Sequence, residues 1–351
     1  MKKIIPIFIP HQGCPNDCVF CNQRKITGKL ASIDFDEIKK DIAEFIKTIS
    51  KESDIEIAFF GGSFTAIDRN IQKKCLDIAN EYMKKDYRIK DIRISTRPDS
   101  IDKEILDFLK INNVTIIELG VQSLDKEVLK LSNRGHDDRC VYTASNLIKE
   151  QGFRLGLQMM VGLPGDSPKK SIFTAMEFAK IKPDFARIYP VLVIKETALE
   201  SMLLGKIYNP LSLDDTVQTV KKLYSILISS DIDVIRIGLQ ASDTINVGKE
   251  IVAGPFHPSI GELVYSSLIK DYLIKYIKQN KNTTDIDITC GTSMISKIVG
   301  NKKSNIKYFK ENLNININIQ EDILLNKDNI LLDNKYITIN SIAQKLYHEY
   351  F

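Results

Sequence analysis

Ile55-Glu56-Ile57-Ala58-Phe59-Phe60-Gly61-Gly62-Ser63-Phe64-Thr65 is the stretch on which the fold turns, a short and mostly apolar run that ends abruptly at two glycines. Such a run suits a strand buried on both faces, and the glycines mark the turn that leaves it. Runs of the same kind lie at 4–9, 92–95, 115–119, 155–161 and 186–193. Between and after them, helical spacing predicts helices around 35–49, 70–84, 101–111, 125–131, 139–151 and 168–181. In the first of these, Phe35, Ile38, Ile42, Phe45 and Ile46 fall on one face. A βα unit repeated in this way implies a parallel sheet with right-handed crossovers. Six units fall short of the eight that close a barrel. The expected fold is therefore α/β, a partial (β/α)6 barrel of parallel strands with a small C-terminal α+β appendage.

The rest of the chain has another rhythm. A helix near 213–229 leads to a strand at 234–237, a loop Gly254-Pro255-Phe256-His257-Pro258, and a helix over 260–278. From about 284 a short strand, a helical stretch at 293–299, strands at 314–319, 330–332 and 336–339, and a closing helix at 341–350 follow. Leu332-Asp333-Asn334-Lys335-Tyr336 has the composition of a hairpin turn. The expected organisation is a core over 1–250, a connecting loop and helix over 251–283, and a small α+β domain over 284–351.

Composition narrows the class. The 351 residues are 43% hydrophobic and 27% charged with 17 Gly and 11 Pro, which excludes disordered and collagen-like chains. A net charge of +4 neither requires nor excludes a nucleic-acid partner. No apolar run reaches the roughly 18 residues of a membrane span. The first residues are broken by Pro6, Pro10 and His11 and read as a strand rather than an export signal. Six cysteines are too sparse for a disulfide scaffold, and three of them crowd between 14 and 21. That crowding points to metal or redox chemistry in a reducing, cytoplasmic compartment.

The crowded stretch, His11-Gln12-Gly13-Cys14-Pro15-Asn16-Asp17-Cys18-Val19-Phe20-Cys21, follows the first strand directly. It thus occupies the carboxyl end of a parallel strand, where sites in such folds lie. Three thiolates from one loop can hold three irons of a [4Fe–4S] cubane and leave the fourth open, whereas ordinary ferredoxin clusters are closed by four cysteines. The same residues also suit a Cys3His zinc site completed by His11, or buried thiols without a metal.

Cys14, Cys18 and Cys21, with Phe20 just before the last, resemble the signature of the radical S-adenosylmethionine (radical SAM) superfamily. Phe59-Phe60-Gly61-Gly62-Ser63-Phe64-Thr65 is similar to the glycine-rich segment that meets the cofactor's amino group there. Thr96-Arg97-Pro98-Asp99, Glu118-Leu119-Gly120-Val121-Gln122-Ser123, Asn133-Arg134-Gly135-His136, Met160-Val161-Gly162-Leu163-Pro164-Gly165 and Ile188-Tyr189-Pro190 follow in an order similar to the catalytic subunit of Elongator and its relatives. These belong to the coproporphyrinogen-dehydrogenase-like branch, and the resemblance covers about 1–250. This chain carries Ser95 where those proteins usually have Glu, and Gln158 where they often have His or Asp. After residue 260 nothing resembles their acetyltransferase domain.

The resemblance implies a [4Fe–4S] cluster on Cys14, Cys18 and Cys21. It also implies S-adenosyl-L-methionine contacted by Phe20, Gly61, Gly62, Ser63, Arg97, Gln122, Arg134 and Gln158, and cleavage of that cofactor to a 5′-deoxyadenosyl radical. The implied partners are an RNA or tRNA substrate and a low-potential electron donor such as flavodoxin or ferredoxin. A small-molecule or porphyrin-like substrate stands as the alternative within the class, and a non-catalytic, zinc-stabilised RNA-binding module outside it. Each residue also has a plainer role open to it. Ser63 or Thr65 can cap the next helix, Arg97 can pair with an acid, and Gln158 can be a satisfied core amide. Tyr189 can simply line the barrel, His136 can cap a helix, and His257 can be a loop histidine. Cys75, Cys140 and Cys290 lie on separate elements. From Lys270 to Glu311 nine lysines face four acids, either a solvated surface or a patch for RNA phosphates.

Overall fold

The computed structural model describes residues 2–9, 14, 16–22, 33–239, 249–280 and 284–351. The strands β1 (Lys3–Ile9), β2 (Ile55–Gly61), β3 (Ile89–Thr96), β4 (Ile116–Gln122), β5 (Arg154–Val161) and β6 (Phe185–Pro190) pair in sequence order, all parallel. These are the six strands expected from the sequence, and the sheet gains a seventh. After a two-residue strand β7 (Val193–Ile194) and the helix Leu213–Ser229, β8 (Asp233–Ile237) returns parallel to β6. The result is a half-barrel with helices on its outer face.

Alternation sets the two faces. Ile5, Ile7, Ile55, Ile57, Phe59, Ile92, Ile94, Ile117, Leu119, Leu155 and Leu157 are buried toward the helices. Their neighbours, among them Phe8, Phe60, Arg93, Glu118, Gln158 and Arg187, face the concave side. The helices start as the sequence dictates, because aspartates stand at the turns that lead into them. Asp34, Asp68, Asp102, Asp125 and Asp137 each accept from backbone N–H groups of the first turn that the helix itself leaves unpaired.

A short antiparallel pair, β7 with β9 (Ile251–Ala253), flanks the carboxyl end of the barrel. The helix Ile260–Gln279 then leads to a second sheet ordered β11 (Asn316–Glu321), β10 (Asp285–Cys290), β12 (Ile330–Leu332), β13 (Lys335–Ile337). The expected hairpin lies between β12 and β13, and Asp333 and Asn334 both adopt positive φ, as a two-residue turn of this hand demands. The helix Ser304–Leu313, absent from the sequence-based expectation, precedes β11. The closing helix Ile339–Tyr350 packs on Leu213–Ser229, so core residues of 284–351 such as Ile286, Phe309 and Leu346 belong to the same continuous core as the barrel. Tyr224 Oη donates to Asn340 at 2.5 Å, fastening the two parts, and Lys221 pairs with Asp271 of the helix Ile260–Gln279 at 2.6 Å.

No helix among the described residues is long and apolar enough to cross a membrane.

Candidate active site

The cysteine loop sits over the carboxyl ends of β1 to β4. Its backbone is tied down on two sides: Val19 N–H donates to Ser132 at 3.1 Å, and Leu199 N–H donates to Val19 at 2.7 Å. Asn133 Nδ2 donates to the Asp17 carbonyl at 2.8 Å. Gly135 is glycine for a steric reason, since its φ is +75° and a Cβ there would strike the Asn16 side chain. Gly61 is required by the sheet itself. At φ +113° its missing Cβ would meet the Ile9 carbonyl of the neighbouring strand.

Arg134 connects the loop to the sheet. Its Nη1 donates to Cys18 Sγ at 3.3 Å, and its Nη2 donates to the Gly120 carbonyl. Gly120 leaves room for this, because a Cβ there would lie 3.1 Å from both Arg134 Nη2 and Gln122 Nε2. Arg97 is held by Asp99 through Nε at 2.9 Å and Nη2 at 2.7 Å, and its Nη2 also reaches the Arg134 carbonyl at 2.7 Å. Cys14 lies within electrostatic reach of Arg97, Arg134 and Cys18, and the Ser63 backbone N–H points at it. Burial outweighs the two guanidinium groups and pushes its thiol up.

Ser63 does not cap the helix that follows. Its Oγ shares a hydrogen bond with Thr96 Oγ1 at 2.8 Å and accepts from Arg97 N–H at 3.2 Å, joining the β2 and β3 ends. Thr65 Oγ1 reaches both Thr96 Oγ1 and the Ser100 carbonyl at 2.6 Å. Nor does His136 cap its helix, since Asp137 takes that place. His136 is instead lodged beside Arg134, and burial first, then that guanidinium, push its ring down to about 4. Gln122 closes β4 at a bulge with φ +70°, a conformation rare for a side chain of this kind and typical of functional sites.

Phe20 packs partly buried against the small cluster of Val128, Leu163, Val191, Val193 and Leu199 under the loop. Gly62 is half-buried at the same strand end. Gln158 lies deeper in the lumen, where its Nε2 donates to Glu118 Oε2 at 2.7 Å. That bond leads to a group that sequence reasoning misses. Glu118 Oε1 accepts from Arg187 Nε at 3.1 Å and Nη2 at 3.0 Å and meets Arg93. Arg93 in turn holds Glu56 through Nη2 at 3.0 Å. All four charged side chains are buried. Their only signal in the sequence is single charges set into otherwise apolar strands. Tyr189 lines the lumen beside Arg187 at 3.4 Å, with burial pushing its phenol up. His257 accepts from Ser259 N–H at 3.1 Å as a loop histidine does.

The residues at this end fit an iron–sulfur cofactor and a polar ligand. Arg97 Nη1, Gln122 Oε1 and Arg134 Nε are buried with no hydrogen-bond partner among the described residues. Such atoms are costly unless something outside the chain meets them. Three thiols free of disulfides stand in the loop above. Among the described residues no three His, Cys, Asp or Glu side chains are close enough to hold a single metal ion. His11, the fourth ligand of the zinc alternative, lies outside the described residues. Cys75 and Cys290 are buried elsewhere, whereas Cys140 lies within electrostatic reach of Asp99, Arg97 and Arg134. Burial, with Asp99 next, pushes the Cys140 thiol up to about 12.

Comparison with known proteins agrees with this geometry. The radical SAM superfamily model matches residues 8–176, and a radical SAM C-terminal domain model matches 183–270. The tRNA uridine(34) acetyltransferase of Methanocaldococcus infernus is 33% identical over 239 residues, which are 62% of this chain and 43% of that protein. Its counterpart in Methanocaldococcus jannaschii is 28% identical, over 76% of this chain and 56% of that protein. The chain thus spans about half the length of these two relatives. An uncharacterized protein of the same organism is 31% identical over 59% of this chain and 67% of its own length. In fold, the chain is similar to the archaeal Methanocaldococcus infernus Elp3 lacking its N-terminus, with a TM-score of 0.60 and 24% identity over 80% of this chain and 63% of that one. The chain belongs to the radical SAM superfamily, whose enzymes use a [4Fe–4S] cluster and S-adenosyl-L-methionine.

Proposed function

We propose that this chain is a radical SAM enzyme that modifies an RNA base, with tRNA the favoured substrate. In this reading Cys14, Cys18 and Cys21 hold the cluster. Phe20, Gly61, Gly62, Ser63, Arg97, Gln122, Arg134 and Gln158 serve the S-adenosylmethionine site, the last of them through Glu118. The observation that carries the reading is the set of unpartnered buried atoms on Arg97, Gln122 and Arg134 directly below the cysteine loop. When bound, the cluster and S-adenosylmethionine supply one-electron cleavage of a carbon–sulfur bond and hydrogen-atom abstraction.

The chain's own residues do the rest. The Arg134 guanidinium donates to Cys18 Sγ and fixes where that sulfur sits over the sheet. Asp99 fixes the orientation of Arg97, so that its free Nη1 is presented to an anionic group rather than to water. The Ser63–Thr96–Thr65 hydroxyl chain locks the glycine-rich turn in place. Phe20, over its apolar bed, excludes water from below the loop.

RNA is favoured because relatives named for tRNA uridine(34) are 33% identical to this chain over 239 residues and 28% identical over 307. Acetyl transfer is not carried over to this chain. We assign residues 1–250 to the catalytic core, 251–283 to a connection and 284–351 to an appendage, in a cytoplasmic enzyme fed by a low-potential donor such as flavodoxin or ferredoxin.

The test is incubation of reconstituted enzyme with S-adenosylmethionine, dithionite and total tRNA. The reading expects deoxyadenosine release to rise several-fold with tRNA, and a nucleoside of changed mass in its digest. Release that ignores tRNA but responds to a small molecule would overturn the RNA assignment.

A further inference from the structure

Far along the chain from the cysteine loop, a cleft of about 450 Å³ opens where the helix Ile260–Gln279 meets the β12–β13 hairpin and the helix Ile339–Tyr350. Its walls include Tyr272, Lys275 and Tyr276 from the first helix, Asp333 and Lys335 from the hairpin, and Lys345 from the last helix. The three lysines come from three separate elements, so the charge is assembled by the fold and not by a run of sequence. Only Lys275 belongs to the basic tract visible in the sequence. Of the other lysines in that tract, Lys270 is spent on the Tyr308 ring, 3.5 Å from its centroid.

The lysines differ in commitment. Lys275 is paired with Glu349 at 2.7 Å. Among the described residues Lys335 and Lys345 have no carboxylate within ion-pair distance. Lys345 Nζ stands 5.3 Å from the centroid of the Tyr272 ring, which keeps the ammonium at the cleft. Opposite, Tyr276 Oη donates to Asp333 Oδ2 at 2.5 Å, which fixes the ring and leaves the other carboxylate oxygen as an acceptor. Two cations without a carboxylate partner among the described residues, two flat phenol rings and one oriented carboxylate call for a ligand with three matching parts: an anion, a planar ring and a hydroxyl or amino donor. A nucleotide has all three.

We propose that this cleft binds a nucleotide, its phosphate at Lys335 and Lys345, its base against the tyrosines and a donor group at Asp333. The site is independent of the cysteine loop and of the chemistry assigned to it. The nucleotide can be free or part of a single RNA strand, since both carry the same groups.

The full chain is titrated calorimetrically with adenosine monophosphate, with inorganic phosphate, and with a 12-nucleotide single-stranded RNA across a salt series. The proposal expects nucleotide or RNA to bind at least tenfold more tightly than phosphate. Lys335→Glu with Lys345→Glu should lower that affinity at least tenfold and, for RNA, flatten the salt dependence by about 0.7 in log–log slope, for the one phosphate that is no longer neutralised. Tyr272→Leu should weaken nucleotide binding about tenfold and phosphate binding much less, through the Lys345 ammonium that the ring also holds. Both lysines are exposed, so the charge variants should melt as wild type does, and Tyr272→Leu is an independent probe if they do not.

Binding of the monophosphate without RNA assigns a free nucleotide; binding of RNA that the monophosphate fails to displace assigns a strand. Nucleotide and RNA binding no tighter than phosphate, or variants that bind as wild type does, would overturn the proposal. RNA binding that survives every cleft variant would remove the cleft yet leave the RNA-modifying reading intact. The converse result, monophosphate binding by a chain that ignores RNA, would keep the cleft and count against that reading.

Discussion

Deep in the lumen Glu56, Arg93, Glu118 and Arg187 are buried and each charged head meets an opposite one. At the carboxyl end of the same strands Arg97 and Arg134 are buried as well, with half-buried Gln122 beside them, yet each of the three holds an atom that nothing among the described residues meets. The strands and the residue types are alike; the difference is in satisfaction. A closed set of ion pairs rigidifies a wall, and removing one partner leaves a stranded charge. An open set stores unmet bonds for something that arrives from outside. Gln158 lies on the boundary, because its amide is already engaged with Glu118.

The largest effect that would break this comparison is expected from Glu118→Ala. It strands Arg187, leaves Arg93 with Glu56 alone, and should cost about 3–5 kcal/mol in urea unfolding. A loss under ~1 kcal/mol would show that the ladder does not hold the wall. Arg134→Gln gives up the bonds to Cys18 Sγ and the Gly120 carbonyl and should cost about 1–3 kcal/mol, less than Glu118→Ala, but weaken S-adenosylmethionine binding roughly tenfold or more, because its unmet Nε is lost as well. A stability loss as large as that of Glu118→Ala, with affinity unchanged, would place Arg134 with the ladder. Gln158→Leu sharpens the boundary. Acting through Glu118, it should cost about 1–3 kcal/mol in stability with only a modest change in cofactor affinity. Loss of affinity with full stability would put its amide on the cofactor.

A separate effect concerns pH. His136 is held to about 4 in the folded chain against an ordinary value of 6.5. Its contribution is therefore present above pH 6.5, and is lost as pH falls from there through 4. Wild type should lose more stability over that interval than His136→Asn, and equal losses would contradict the assignment.

Most of the barrel is legible in the sequence because strands buried on both faces announce themselves as unbroken apolar runs, and aspartates punctuate the helices that follow. The seventh strand is visible as 234–237 but not as part of the sheet. Its pairing with β6 is made across a long helix, and no local pattern encodes it. The cysteine spacing and the order of the motifs point to the carboxyl end. What each polar residue does there is not readable, since Ser63 as strand tie and Asp137 as cap, in place of His136, depend on how the chain packs around them. The ladder escapes notice because a lone charge in a strand gives no hint of its partner. The lysine cleft is hidden because Lys275 and Lys335 stand far apart in sequence and only the fold brings them to one wall.

The most direct test is anaerobic reconstitution of the full chain and of Cys18→Ala, with iron and sulfide analysis and a deoxyadenosine assay under strong reductant. The account predicts about four irons per wild-type chain with slow deoxyadenosine release, and neither for the variant. Stoichiometric zinc without iron uptake, or undiminished deoxyadenosine from Cys18→Ala, would contradict it.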